Sequence, residues 1–135
     1  MSSYNNWESG MTDDVIPADV REFIIKYIDS IAHLEALLLL RASGDWSWTV
    51  EALSARLYIS EREVSEILTR LANDGFLSTQ AGQYRYSCLQ EDQRLVVERL
   101  AATYVTHLIP VTNIIHAKPR GVRQFADAFK LRKDR

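Results

Sequence analysis

The chain reads as a mainly α-helical protein carrying one small β-hairpin, and three observations predict it. Thr49 and Ser60 each stand in front of a separate run of helical periodicity, where a hydroxyl can accept a backbone N–H of the first turn. Only Leu57-Tyr58-Ile59 separates the two runs, too short a connection for the helices to lie antiparallel. Directly after the second run, Phe76-Leu77-Ser78-Thr79 and Tyr84-Arg85-Tyr86-Ser87 flank Gln80-Ala81-Gly82-Gln83, which gives two strands around a glycine-containing turn.

The elements follow in order. Residues 1–16 are polar and are expected to form a flexible N-terminal segment. Pro17 suits a helix start, and Asp19 and Glu22 sit well near its positive end, so residues 17–29 are expected to be helical. Val20, Phe23, Ile24, Tyr27 and Ile28 form its apolar stripe, expected to pack on the main domain or on a second subunit. Asp29 or Ser30 can cap the next helix, near 30–41, which Leu37–Leu40 make apolar almost all round. His33, in its first turn, reads as a surface or capping residue, since no ligand partner stands at i+4. Trp46 and Trp48 are read as core anchors beside the following helix start, with a base-stacking platform as the alternative.

The two central helices are expected near 49–57 and 60–73. Trp48 against Leu53 and Ile59 against Val64 are candidate hydrophobic staples, and Ser60 with Glu63 is a candidate capping box. Asn73-Asp74-Gly75 is a helix stop in which glycine can take positive φ. Residues 89–117 carry a long apolar stripe, and Pro110 within it is expected to kink a continuous helix. Lys118-Pro119-Arg120-Gly121 breaks the chain again. Residues 118–135 are then expected to form a basic amphipathic helix with Val122, Phe125, Ala126 and Phe129 on one side.

With these residues in view, segment 30–88 resembles a winged helix-turn-helix domain of the MarR-like kind. Ser60–Leu71 occupies the place of the recognition helix, and Asp74-Gly75-Phe76-Leu77 looks like the start of the wing. The resemblance covers under half of the chain. It implies a winged helix-turn-helix with N- and C-terminal helical extensions, and a binding module rather than an enzyme. Such domains dock on DNA, RNA or proteins, so the fold alone does not choose among them.

The bulk properties narrow the classes further. An apolar content of 47% and a charged content of 25% are those of an ordinary soluble protein. No apolar run approaches the ~18 residues of a membrane span, and Met1–Asn6 lacks the features of a secretory signal. The single cysteine, Cys88, cannot form an internal disulfide, and a cytoplasmic location without membrane association is expected. Cys88 ends the second strand and reads as a small buried residue. No phosphate loop, nucleophile elbow or paired-cysteine motif is present, and His33, His107 and His116 are scattered. No catalytic residue, metal or cofactor is therefore expected.

The formal net charge of −2 hides an asymmetry: residues 1–29 carry −4, 30–88 carry −2, 89–116 carry −1 and 117–135 carry +5. With Val64, Ile67, Leu68 and Leu71 turned inward, Arg62, Ser65, Glu66, Thr69 and Asn73 form the outward stripe of the second central helix. For duplex DNA the expected contacts are Arg62, Ser65, Thr69, Arg70 and Arg85. The basic tail residues Arg120, Arg123, Lys130, Arg132 and Lys133 would add phosphate contacts. Against DNA, Glu61, Glu63 and Glu66 crowd the helix end that normally approaches it. Two functions stand: a homodimeric DNA-binding transcriptional regulator, or a protein-interaction adaptor with an acidic recognition helix. The surplus stripe beyond the winged domain is expected to hold the homodimer through Leu100, Tyr104, Leu108, Val111 and Ile115.

Overall fold

A computed structural model describes residues 15–118, so the tail residues Arg120, Arg123, Lys130, Arg132 and Lys133 lie outside the described residues, as does nearly all of segment 1–16. The elements run α1 (Ala18–Tyr27), α2 (Ile31–Ala42), α3 (Val50–Leu57), α4 (Glu61–Asn73), β1 (Leu77–Gln80), β2 (Gln83–Tyr86), α5 (Glu91–Thr106) and α6 (Leu108–Ala117). The fold is mainly helical with one two-stranded antiparallel hairpin.

Local chemistry sets most of the boundaries. Three hydroxyls cap three helices: Ser30 accepts from His33 N–H at 3.0 Å, Thr49 from Ala52 N–H at 3.1 Å, and Ser60 from Glu63 N–H at 3.0 Å. Between α3 and α4, Tyr58 adopts the left-handed region (φ 61°), and Ser54 Oγ donates to Ile59 C=O at 2.5 Å, which fastens the turn. Helix α4 ends in a Schellman closure: Phe76 N–H reaches Leu71 C=O at 3.0 Å and Gly75 N–H reaches Ala72 C=O at 3.1 Å, with Gly75 at φ 93°.

The hairpin pairs Leu77 with Tyr86 and Gln80 with Gln83, leaving a two-residue loop. Ala81 (φ 54°) and Gly82 (φ 77°) both take positive φ, the geometry that matches the strand twist. Trp48 adds a single isolated antiparallel bridge to the hairpin: its N–H donates to Tyr84 C=O at 2.7 Å, and Tyr84 N–H donates back to Trp48 C=O at 2.8 Å. Its indole N–H also donates to Ser43 Oγ at 3.0 Å. Trp48 is thus a structural anchor, whereas Trp46, given the same reading from sequence, stands 67% exposed.

The expected kink at Pro110 is corrected to a break between two helices. Helix α5 ends at Thr106, His107 leaves helical geometry (φ −131°, ψ 53°), and α6 begins at Leu108. The reason is steric. Inside a continuous helix the proline ring at 110 would meet the carbonyl four residues earlier, which belongs to Thr106, the last residue of α5. Placed in the first turn of α6, Pro110 lacks only an N–H that would have had no partner within that helix.

One hydrophobic core runs through all the described elements. Helix α2 lies at its centre, with Leu34, Ala36, Leu37 and Leu40 wholly buried, packed against α3, α4 and β2. Helix α1 packs on both α5 and α6. Phe76 joins the two halves: its ring meets Phe23 at 5.4 Å and Tyr27 at 5.2 Å, both edge-on. Polar ties reinforce the assembly. Arg41 grips Glu98 with two hydrogen bonds of 2.8 and 2.6 Å, Arg99 bonds Asp19, and Lys118 Nζ bonds the carbonyls of Ile24 and Ile28 at the end of α1.

This packing removes most of the apolar surplus that the stripe of 89–117 shows in isolation. Leu100, Val111 and Ile115 are buried within the protomer, and Tyr104 is half-buried with its hydroxyl donating to Glu35 at 3.1 Å. The stripe of α1, expected to pack on the main domain or on a second subunit, covers that of α5–α6 within the protomer. Of the five residues expected at a dimer interface, only Leu108 is exposed.

Candidate nucleic-acid interface

Helix α4 has a 3.6-residue division of labour. Val64, Ile67, Leu68 and Leu71 are buried against the core, and Arg62, Ser65, Glu66, Thr69 and Asn73 are exposed on the other side. Glu61 and Glu63 are exposed at its first turn, where the helix dipole favours negative charge. The face carries no side chain from another described element in ion-pair or hydrogen-bonding contact with Arg62, Ser65 or Thr69.

The five residues expected at the interface are not all in one place. Arg62, Ser65 and Thr69 share the outer face of α4. Arg62 is 89% exposed, and its Nε lies 3.6 Å from Glu66 one turn along. Arg85 sits on β2, half-exposed, with a guanidinium nitrogen 3.8 Å from Asp45 in the loop before Trp48. Arg70 turns away from this face. It lies 3.5 Å from Asp29 at the α1–α2 junction and is mostly buried, so it belongs to the ties that hold those helices rather than to the outer face. Asp29 also lies 3.7 Å from Lys118 Nζ, so two cations from distant elements converge on it.

Sequence reading missed one exposed aromatic, Tyr58, which projects from the α3–α4 turn, and Trp46, read as a core anchor with a stacking platform as the alternative, is exposed as well. A left-handed residue at a helix stop points its side chain outward, but tyrosine is not the residue type that signals such a position.

Of its two readings, surface or capping, His33 takes the second: it is buried, and its Nδ1 accepts Asp29 N–H at 3.1 Å, immediately before the start of α2. Cys88 is buried, and burial pushes its thiol up from the ordinary range, so it is a poor nucleophile at neutral pH. Burial likewise raises the neighbouring Tyr86 hydroxyl. Among the described residues, no group of three or more His, Cys, Asp or Glu is placed to hold a metal ion, and no helix is long and apolar enough to cross a membrane.

What this surface can do is dock. It offers one strongly exposed guanidinium, two hydroxyls and an amide along a straight helix, a second guanidinium on a neighbouring hairpin, and a fringe of carboxylates. Comparison with known protein families, with characterised proteins and with solved structures finds no match for this chain.

Proposed function

We propose that the chain is a winged-helix, DNA-binding transcriptional regulator that acts as a homodimer. The observation that carries this reading is the uncovered face of α4 beside a hairpin bearing Arg85. Helix α4 has the length and exposure to enter a major groove, with Arg62 placed for guanine and Ser65 and Thr69 for base edges or phosphates. The intrachain pairs do not oppose it. Arg62–Glu66 and Arg85–Asp45 are long, solvent-exposed contacts of the kind that contribute little, so either guanidinium can exchange its carboxylate for a phosphate or a base.

The carboxylates set the terms of binding. Glu61, Glu63 and Glu66 repel phosphates, so the face is suited to discriminating sites rather than to supplying affinity. Affinity would come from residues 119–135, where six basic side chains face two acidic ones.

Fluorescence anisotropy on duplex DNA across a salt series tests the proposal. Arg62→Ala is expected to weaken binding and relax sequence preference, and Arg85→Ala to weaken all sequences alike and lower the salt slope by about 1. Equal binding by wild type and the double variant refutes the site.

The acidic fringe of α4 also favours a second reading, in which the same face docks a basic protein surface and the chain is an adaptor. An absence of salt-dependent binding to any duplex at low ionic strength selects it.

A further inference from the structure

Tyr58 combines a backbone that tyrosine disfavours with a side chain that the fold does not use. Its φ of 61° and ψ of 40° lie in the left-handed region, where a bulky residue is an outlier. Its side chain is 92% exposed and is not among those packed on the core. We propose that Tyr58 is a DNA-contact residue whose hydroxyl donates to a backbone phosphate beside the groove that α4 enters. The inference rests on the DNA-binding reading above and adds a residue to that site.

The turn fixes where this hydroxyl is carried. Tyr58 N–H donates to Ser54 C=O at 2.9 Å, and Ile59 N–H donates to the same carbonyl at 3.4 Å. Ser54 Oγ donates in turn to Ile59 C=O at 2.5 Å, and Ser60 then caps α4. Tyr58 therefore rides on a fastened connection, with its Cα within about 11 Å of Glu61, the first residue of α4. A helix lying in a groove has phosphates along the rim, and contacts to them set its register without reading sequence. A side chain that leaves the turn just before such a helix is placed to make one.

Two observations choose a phosphate over a protein as the partner of this ring. The first is its polar setting. From α3 through β2, no other large hydrophobic side chain is exposed among the described residues, and Arg56, Ser60 and Glu61 are the exposed polar groups nearest in sequence. A protein interface seats an aromatic anchor inside an apolar patch, and this turn has none. The second is the charge of the phenol. Glu61 and Glu63 stand exposed at the first turn of α4, and Arg62 lies 3.6 Å from Glu66. A cation at position 58 would have such carboxylates as neighbours. A neutral hydroxyl is not drawn into an ion pair, yet it still donates to a phosphate oxygen.

Fluorescence anisotropy of the full chain on a pooled random-sequence duplex, across a salt series, reads the contact, because a phosphate hydrogen bond is blind to sequence. Tyr58→Phe keeps the ring and removes the hydroxyl. It is expected to bind about tenfold more weakly, as for a lost hydrogen bond to a charged group. The salt slope is expected to stay unchanged, since a neutral donor releases no counterion. Tyr58→Gly is expected to bind at least as weakly as Tyr58→Phe. Its urea midpoint should be no lower than that of wild type, because glycine takes the left-handed backbone freely and the ring buries almost nothing. Tyr58→Phe binding as tightly as wild type overturns the inference and leaves the DNA reading standing. A weaker Tyr58→Phe with a shallower slope also overturns it, since the loss would then be one of charge. A lowered midpoint for Tyr58→Gly marks Tyr58 as a structural residue and overturns it as well. A wild type that binds no duplex at low ionic strength overturns the DNA reading, and this contact with it.

Discussion

Phe76→Ala tests whether α1 belongs to the same cooperative core as α4 and the hairpin. Phe76 is wholly buried, immediately after the Gly75 closure of α4, and its ring meets two aromatic rings from α1, Phe23 at 5.4 Å and Tyr27 at 5.2 Å. Truncating a buried phenylalanine costs about 3–5 kcal/mol, the transfer term plus the cavity left behind. A domain of this kind is stable by roughly 5–15 kcal/mol, so the variant should be folded but marginal. With a urea slope of about 2 kcal/mol per molar, the midpoint should fall by roughly 2 M. Urea titration followed by circular dichroism and by tryptophan fluorescence reads the change. Trp48, tied to Tyr84 and Ser43, reports the hairpin side, and both probes should move together. A cycle with Phe23→Ala isolates the ring contact itself, expected to couple the two sites by about 1 kcal/mol. A loss below about 1 kcal/mol, or strictly additive variants, would refute the argument that Phe76 joins α1 to the rest.

Three further predictions address local chemistry. Ser60→Ala removes the hydroxyl that accepts Glu63 N–H and should lower stability by ~1 kcal/mol in the same titration, whereas Ser60→Asp should retain most of it. Ala81→Asn places a residue tolerant of positive φ at 54° and should raise stability by about 0.5–1 kcal/mol; an unchanged melting temperature would count against the two-residue turn. Two hydrogen bonds from Arg41 hold the Glu98 carboxyl below its ordinary value of 4.5. Because the folded state lowers this pKa, the pair contributes fully above about pH 4.5 and its contribution disappears as pH falls through the lowered value. The stability gap between wild type and Glu98→Gln should therefore narrow between pH 7 and about pH 3, and a gap that widens on acidification would reject the assignment.

What was legible in the sequence was whatever depends on neighbours along the chain. The hydroxyl caps at Ser30, Thr49 and Ser60, the glycine closure at Gly75 and the buried side of α4 all follow from spacings of a few residues. The hairpin was legible within one residue at each end. Its shift to Leu77–Gln80 and Gln83–Tyr86 arises because Ala81 accepts a positive φ that its side chain does not favour, which shortens the loop to two residues. What was not legible depends on tertiary meetings. The roles of Trp46 and Trp48 part only because Tyr84 lies opposite Trp48. Arg70 has the helical position of a contact residue, but Asp29 draws it inward. Mutual cover of the two outer stripes could not be read from either stripe alone.

The surface of α4 and the tail divide the work of binding DNA differently if the proposed function holds, and truncation after Lys118 separates them. Lys118 must stay, because its Nζ bonds the carbonyls of Ile24 and Ile28 and closes the end of α1. The truncation removes six basic and two acidic side chains. A net of four cations engaged with four phosphates contributes about 3.6 units to the slope of log K against log salt, so the truncated chain should bind more weakly with a slope shallower by roughly that amount. Sequence preference should survive, since it belongs to Arg62, Ser65 and Thr69 on α4. Circular dichroism and urea titration of the truncated chain establish that the core is intact before the comparison is made. Loss of preference with an unchanged slope would reverse the roles given to tail and helix, and that result would reject this division of affinity from specificity.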